Sequence, residues 1–114
     1  MSDGRRRALN EAKRVILDAS GGGRLELGPG KTPFWNVTKL MVSTNRPGVA
    51  PIPRCFVYLD EESSRGKQGS TYDGSNDESD CDIDVHRGQT LIAVWIGGQA
   101  GDAAELSVSG WVES

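Results

Sequence analysis

The residues that could do chemistry are few, and each lacks part of the arrangement that its chemistry would need. His86 is the only histidine, and the chain contains no Gly-x-Ser-x-Gly sequence to supply an activated serine. Gly30-Lys31-Thr32 resembles the end of a phosphate-binding loop, but Leu25 occupies the position of that motif's first glycine. We therefore expect no assembled catalytic site, no cofactor and no enzymatic activity.

An acidic stretch between residues 73 and 80 carries oxygen ligands of the kind that calcium prefers. Asp73, Asp77 and Asp80 are its candidate metal ligands. The stretch departs from the EF-hand pattern, because Glu78 takes the place of the central glycine and no flanking helices are expected. We expect no metal requirement and interpret the stretch as a hairpin loop whose Asp and Asn side chains bond the local backbone. A calcium site of another type, completed by a second loop, is the open alternative.

The cysteines and tryptophans are more easily explained by packing than by chemistry. Cys55 and Cys81 fall on separate predicted strands, and without a secretory signal we expect both to be free thiols. Trp35 and Trp95 lie in apolar strands and are expected in the core. Trp111 is expected to point away from the core, toward a subunit contact or, alternatively, a bound sugar.

Charge is distributed unevenly along the 114 residues, whose formal net charge is −3. Residues 1–18 contain five basic and three acidic side chains, whereas residues 60–84 contain nine acidic and two basic ones. Such asymmetry often marks an interaction surface. The net negative charge argues against nucleic-acid binding, and no apolar run is long enough to span a membrane.

Residues 5–19 are predicted to form a short helix. Four apolar residues recur near helical spacing and would form a narrow stripe: Leu9, Ala12, Val15 and Ile16. Gly21-Gly22-Gly23 would end the helix and act as a flexible joint. Because a short helix is marginal alone in water, it must dock on its own body, on a second copy or on another protein. The stripe and Trp111 are therefore the predicted partner-binding residues, and the chain divides into 1–23 (helix and joint) and 24–114 (β-sandwich domain).

The rest of the chain is predicted to be β-structure. Apolar or alternating segments separated by Gly- and Pro-rich turns indicate strands over residues 24–27, 34–43, 55–59, 81–85, 91–96 and 104–112. Residues 61–79 contain almost no aliphatic side chains and are expected to form a long loop. The predicted fold is a mainly β, antiparallel sandwich, jelly-roll-like, with a short N-terminal α-helix.

Two of the predicted strands allow more specific expectations. In the strand over residues 34–43, strict alternation places Trp35, Val37, Lys39 and Met41 on one face. Leu91–Ile96 is apolar on both faces, so it is expected to be a central strand. A domain this small has little apolar material to spare, so a neighbouring copy is expected to help cover that strand in a homo-oligomer.

Four groups of turn and core signals run through residues 28–112. They are Trp35-x-Val37 with Met41-Val42-Ser43-Thr44; Cys55-x-Val57-Tyr58; Ser70-Thr71-Tyr72-x-Gly74-x-x-Asp77-x-Ser79-Asp80; and Gly88-x-x-Leu91-x-x-Val94-Trp95-x-Gly97-Gly98-x-x-Gly101. This set resembles small β-rich structural proteins from the virions of tailed actinobacteriophages. The resemblance implies a virion protein without catalysis, assembled in the host cytoplasm, with major capsid or tail proteins as partners. We expect a capsid-decorating or head-associated protein; a tail or tail-tip component and a carbohydrate-binding receptor module are the alternatives.

Overall fold

The computed structural model describes residues 6–30 and 34–113, which form eight β-strands. The strands are β1 (Arg6–Ile16), β2 (Gly23–Leu27), β3 (Phe34–Thr44), β4 (Arg54–Leu59), β5 (Lys67–Asp73), β6 (Asn76–His86), β7 (Leu91–Ile96) and β8 (Ala103–Glu113). Strands β1-β8-β3-β6 form one four-stranded antiparallel sheet, here the long sheet, and β2-β7-β4-β5 form the other, the short sheet. The predicted mainly β, antiparallel fold is confirmed. In the part of the chain that is described, no helix is long and apolar enough to cross a membrane.

Strand pairing follows a simple order in which the first strand pairs with the last. β1 pairs with β8, β2 with β7, β3 with β6, and β4 with β5, always antiparallel. The chain is therefore arranged as one long hairpin whose turn lies between β4 and β5. The hairpin is folded over, so that successive pairs lie in opposite sheets.

One hydrophobic core fills the space between the two sheets. The long sheet contributes Leu9, Trp35, Val37, Leu40, Val42, Ile83, Val85, Leu106 and Val108, and the short sheet contributes Leu25, Cys55, Val57, Leu91, Ala93 and Trp95. Trp95 is the largest fully buried side chain. Its indole N–H donates a hydrogen bond to the Gly74 carbonyl at 3.0 Å, so its polar atom is satisfied within the core. The prediction that Trp35 and Trp95 are core residues is confirmed.

The helix predicted over residues 5–19 is wrong. From residue 6 onward the segment is β1, which pairs with β8 along its whole length, from Arg6 opposite Glu113 to Ile16 opposite Ala103; residue 5 lies outside the described chain. Pairing with β8 gives this segment a full ladder of backbone hydrogen bonds, which an isolated short helix cannot match. Tertiary pairing therefore outweighed the helical spacing of its few apolar residues. Of the three glycines after it, Gly21 and Gly22 lie in a hydrogen-bonded turn, where the Gly21 N–H donates to the Asp18 carbonyl at 2.9 Å, and Gly23 begins β2.

The long loop predicted over residues 61–79 is also partly wrong, because it contains β5 and the start of β6. Both strands lie at an edge of their sheet. Tyr72 is the buried hydrophobic side chain of β5, and its hydroxyl shares a hydrogen bond with the Ser79 hydroxyl at 2.8 Å. Edge strands with mostly solvated side chains need few aliphatic residues, so their sequences lack the alternation by which strands are recognised.

A β-bulge in the middle of β3 changes which of its side chains face the core. The register shifts between Val37 and Lys39 against both β6 and β8. Before the shift, Trp35 and Val37 face inward as predicted; after it, Leu40 faces inward instead of Met41. The prediction that Lys39 and Met41 share a face with Trp35 is therefore wrong, because the extra residue reverses the alternation.

Candidate interaction surfaces

The structure separates the five predicted partner-binding residues. Leu9 belongs to the core with 2% of its surface exposed, and Val15 packs against that core. Ala12, Ile16 and Trp111 face solvent instead, with Ile16 62% and Trp111 42% exposed. The four residues on β1 do not form one stripe, because successive side chains of a strand alternate between its faces.

Trp111 lies on the outward face of the long sheet, between Ala8 of β1 and Asn36 of β3. The Arg6 guanidinium carbon is 5.0 Å from the centre of its ring, a cation–π distance. Two residues along β8, at Ser109, the same face opens into a depression of about 290 Å³. The depression is lined by Asn10, Glu11, Ala12, Lys39, Met41, Ser107, Val108 and Ser109. This face therefore combines an exposed aromatic ring with nearby polar groups.

The outward side of β7 is apolar, and the chain covers part of it. Ile92 has only 3% of its surface exposed although it lies outside the core cluster. The Arg24 guanidinium donates to the Glu62 carboxylate at 2.7 Å, linking β2 to the segment after β4. Arg24 lies opposite Val94, and β7 lies between β2 and β4, so this pair spans the outward side of β7. Ile92 itself lies between Glu26 of β2 and Tyr58 of β4. The prediction of a central strand is confirmed, and at Ile92 the cover comes from the same chain.

Toward its other end, the outward side of β7 is open. Ile96 is 46% exposed, Val94 is half-buried, and Phe56 of β4 lies opposite Val94. These three side chains are named here the β7 patch. Arg54 lies opposite Ile96, and the Lys67 ammonium is 5.2 Å from the Phe56 ring centre. The patch is therefore an apolar centre with cations beside it.

The three candidate calcium ligands organise the β5–β6 turn and do not converge. The Asp73 carboxylate accepts hydrogen bonds from the Ser75 hydroxyl at 2.7 Å and the Ser75 N–H at 2.9 Å, and these bonds lower the pKa of Asp73. Asp77 accepts from the Asp73 N–H at 2.9 Å, whereas Asp80 points outward, 3.9 Å from the Lys39 ammonium. Within residues 6–30 and 34–113, no three His, Cys, Asp or Glu side chains are grouped so as to hold a metal ion. The geometry is that of a turn held by its own side chains.

Neither cysteine is prepared for nucleophilic chemistry. Cys55 and Cys81 are free thiols, and Cys55 is fully buried between the sheets. Burial raises the pKa of Cys55 to about 12. Burial, followed by the charges of Asp80 and Asp82, also raises the pKa of Cys81. Both side chains are therefore protonated at neutral pH, whereas a thiol nucleophile must be a thiolate.

The two edges of the long sheet carry opposite charges. β1, at one edge, has four cationic side chains and one acid; β6, at the other, has five carboxylates and neither lysine nor arginine. Four of the acids occupy alternate, exposed positions of β6: Glu78, Asp80, Asp82 and Asp84. The two charged segments were evident in the sequence, but their positions at opposite edges of one sheet depend on the strand order. β1 is named here the basic edge and β6 the acidic edge.

Comparison with known proteins does not identify the chain: no protein-family model matches it, and no curated protein matches it.

Proposed function

We propose that this chain is a non-enzymatic structural protein of a phage particle, which decorates the capsid or associates with the head. The observation that carries the proposal is the β7 patch, an apolar area open to solvent in the middle of a sheet. Neighbouring apolar side chains that remain accessible on an outward sheet face can form part of a site that binds another protein. A capsid protein bound there would cover Val94 and Ile96, the outward residues of β7 that remain accessible in the chain alone.

We also propose that the fold is an eight-stranded jelly roll. First-to-last strand pairing, with successive pairs in opposite sheets, is the arrangement expected of a long hairpin rolled into two sheets. Jelly rolls are used in viral capsid proteins and in lectins. Because one fold serves many functions, this supports the structural role by analogy alone.

The composition of purified particles tests the location. Quantitative mass spectrometry of density-purified particles from the encoding phage should find the chain in a constant ratio to the major capsid protein. The chain should remain with heads when heads and tails are separated. Recovery with isolated tails would instead support the tail or tail-tip alternative, and absence from particles would refute a virion role.

A pair of variants tests the β7 patch itself. Ile96→Asp places a charge in the patch and should reduce occupancy on particles by about tenfold or more, the effect of losing a binding hot spot worth at least ~1.4 kcal/mol. Met41→Asp introduces the same charge on the outward face of the long sheet and should leave occupancy unchanged. Unchanged melting temperatures would show that both variants fold. Equal occupancy of the two variants would contradict docking through the patch.

Trp111 and the adjacent depression support a second candidate function, a carbohydrate-binding module. An exposed indole beside serine, asparagine and lysine side chains could stack on a sugar ring and bond its hydroxyls. Arg6 already occupies one face of the ring, so a sugar must use the other face or displace it. A glycan array should then show binding that Trp111→Ala abolishes and Met41→Ala weakens. Absence of binding to every glycan would remove this candidate.

A further inference from the structure

We infer that copies of this chain associate head to tail, with β1 of one copy pairing antiparallel with β6 of the next. The long sheet would thus continue from one molecule into its neighbour. The contact uses a different surface from the β7 patch and does not depend on the proposed function.

Both edges of the long sheet are open to such pairing. Within the described chain, β1 pairs only with β8 and β6 only with β3. The outer edge of each therefore presents N–H and C=O groups outside the ladder, a template for another strand. On β6, two of these groups are already engaged: the Glu78 N–H donates to the Asp77 carboxylate at 2.9 Å, and the His86 N–H donates to the Gln89 side chain at 3.0 Å. Each strand has 11 residues, so both edges extend for about 36 Å at ~3.3 Å per residue. In the order β1-β8-β3-β6 all three neighbouring pairs are antiparallel, so β1 and β6 run in opposite directions. β6 of a copy placed alongside in the same orientation would therefore be antiparallel to β1.

Charge determines which edge meets which. Pairing two basic edges would bring four cations beside four others, and pairing two acidic edges would bring five carboxylates beside five others, with Glu78 directly opposite Asp84 and Asp80 opposite Asp82 in a full-length register. Like charges directly opposite each other destabilise a sheet, whereas opposite charges stabilise it. The symmetric pairings are therefore disfavoured, and the pairing of β1 with the neighbour's β6 is favoured. Such a head-to-tail contact closes into a ring or extends into a filament.

A full-length register also matches individual side chains. Arg14 then lies opposite the neighbour's Glu78 on the outward face. On the core side, Leu9 lies opposite the neighbour's Ile83, and both side chains are already buried in their own molecules. The apolar cores of the two copies would therefore meet where their strands pair.

Within its own chain, the acidic edge has too few nearby cations to neutralise its carboxylates. Among the described residues, Lys39 is the cation within 4.0 Å of the outward acids, near Glu78 and Asp80. The Asn36 amide donates to Asp82 at 2.7 Å and to Asp84 at 2.8 Å, but contributes no charge. A neighbouring β1 would add four cations and one acid along this edge, a net positive charge that reduces the repulsion among its carboxylates. Two of those cations, Arg6 and Arg14, also pair with Glu113 and Glu105 of their own chain.

Charge exchange between the edges tests the inference. One variant, Arg7→Glu with Arg14→Glu, makes the basic edge acidic; the other, Glu78→Lys with Asp84→Lys, makes the acidic edge more basic. In sedimentation at low ionic strength, the wild type should associate, each variant alone should be monomeric, and their equimolar mixture should associate again. Added salt should weaken association of the wild type.

Matched controls separate edge pairing from other causes. Arg65→Glu with Arg87→Glu changes the net charge as the first variant does, but at exposed positions outside the strands, and should still associate. Ile96→Asp should also associate like the wild type, so failure of the β7 patch would not be mistaken for failure of the edges. A wild type that is monomeric at millimolar concentration, a variant that associates alone, or a mixture that stays monomeric would overturn the inference.

Discussion

Gly110 shows how one residue without a side chain permits the bulge in β3. It lies opposite Val37, where the register shifts, and its φ is 151°, which side-chain-bearing residues rarely adopt. A Cβ atom at this position would lie 2.1 Å from the Asn36 carbonyl oxygen and would force the strands apart.

Gly110→Ala should therefore lower the free energy of unfolding by at least about 2 kcal/mol, through overpacking and backbone strain together. Gly88→Ala is the control, because Gly88 also has a positive φ (87°) but no atom lies within 4 Å of its added Cβ. That control should cost only about 1 kcal/mol. Urea denaturation measures both, and equal losses would show that the close contact with Asn36 is unimportant.

Cys55 makes stability depend on pH in the alkaline range. Its pKa is about 12 in the folded protein, whereas the thiol of an unfolded chain titrates near ~8.5. Above that value the unfolded thiol ionises and the folded one does not, so the free energy of unfolding falls by up to about 1.4 kcal/mol per pH unit. Cys55→Ala should remove this contribution, and its unfolding free energy should decline less steeply between pH 8 and 10.5. Parallel urea-midpoint profiles for the two proteins would contradict the raised pKa.

At the scale of strands, β1 is part of the folded domain and not an attached arm. It covers one edge of β8 and places Leu9 in the core, and Leu17 directly after it is buried as well. Deleting residues 1–20 should therefore abolish cooperative unfolding, because β8 loses its partner and the core loses two leucines. A truncated protein with a sharp melting transition near that of the wild type would restore the idea of a separable N-terminal segment.

Single substitutions in β1 give a finer test of the same point. Leu9→Ala should cost about 2–5 kcal/mol, the usual effect of truncating a buried leucine. Ala12→Ser, three residues later on the solvent face, should change stability by less than about 0.5 kcal/mol. A helical stripe that docked on a separate partner would make both changes nearly neutral in the isolated protein, so urea denaturation distinguishes the two arrangements.

The strands that could be predicted from the sequence are those with an apolar face. The strands around Trp35, Val57, Trp95 and Leu106 alternate or are wholly apolar, and each was predicted close to its position. β1 has only two core-facing apolar residues, Leu9 and Val15, and their spacing also suits a helix, so local pattern favoured the wrong element. The bulge in β3 had no signal within β3 itself, because the residue that permits it, Gly110, lies on another strand.

At the scale of the whole molecule, removal of metal ions should leave stability unchanged. The carboxylates of Asp73 and Asp77 are already engaged by hydrogen-bond donors of their own turn. A chelator should therefore not shift the melting temperature. A fall of several degrees, reversed by added calcium, would show that these carboxylates bind an ion that stabilises the folded state.

The candidate surfaces could be predicted only in part, because they depend on which strands become neighbours. Sequence composition located a basic and an acidic segment, and the apolar character of residues 91–96 indicated a central strand that needs cover on both faces. Their positions depend on the topology: the charged segments lie at opposite edges of one sheet, and Glu62, from the segment after β4, pairs with Arg24 of β2. No local pattern encodes such long-range placement.

First-to-last strand pairing also has a consequence for how the chain reaches its native state. Arg6 lies opposite Glu113, so β1 meets its partner only after all the residues between them have left the ribosome. Contacts between such distant residues slow folding to the order of milliseconds to seconds, in contrast to the microseconds of helical bundles. Until β8 arrives, β1 and β3 lack the strand between them, and the apolar sides of both are open to aggregation. The cations of β1 would then repel the β1 strands of other nascent chains, which opposes aggregation of β1 before β8 pairs with it.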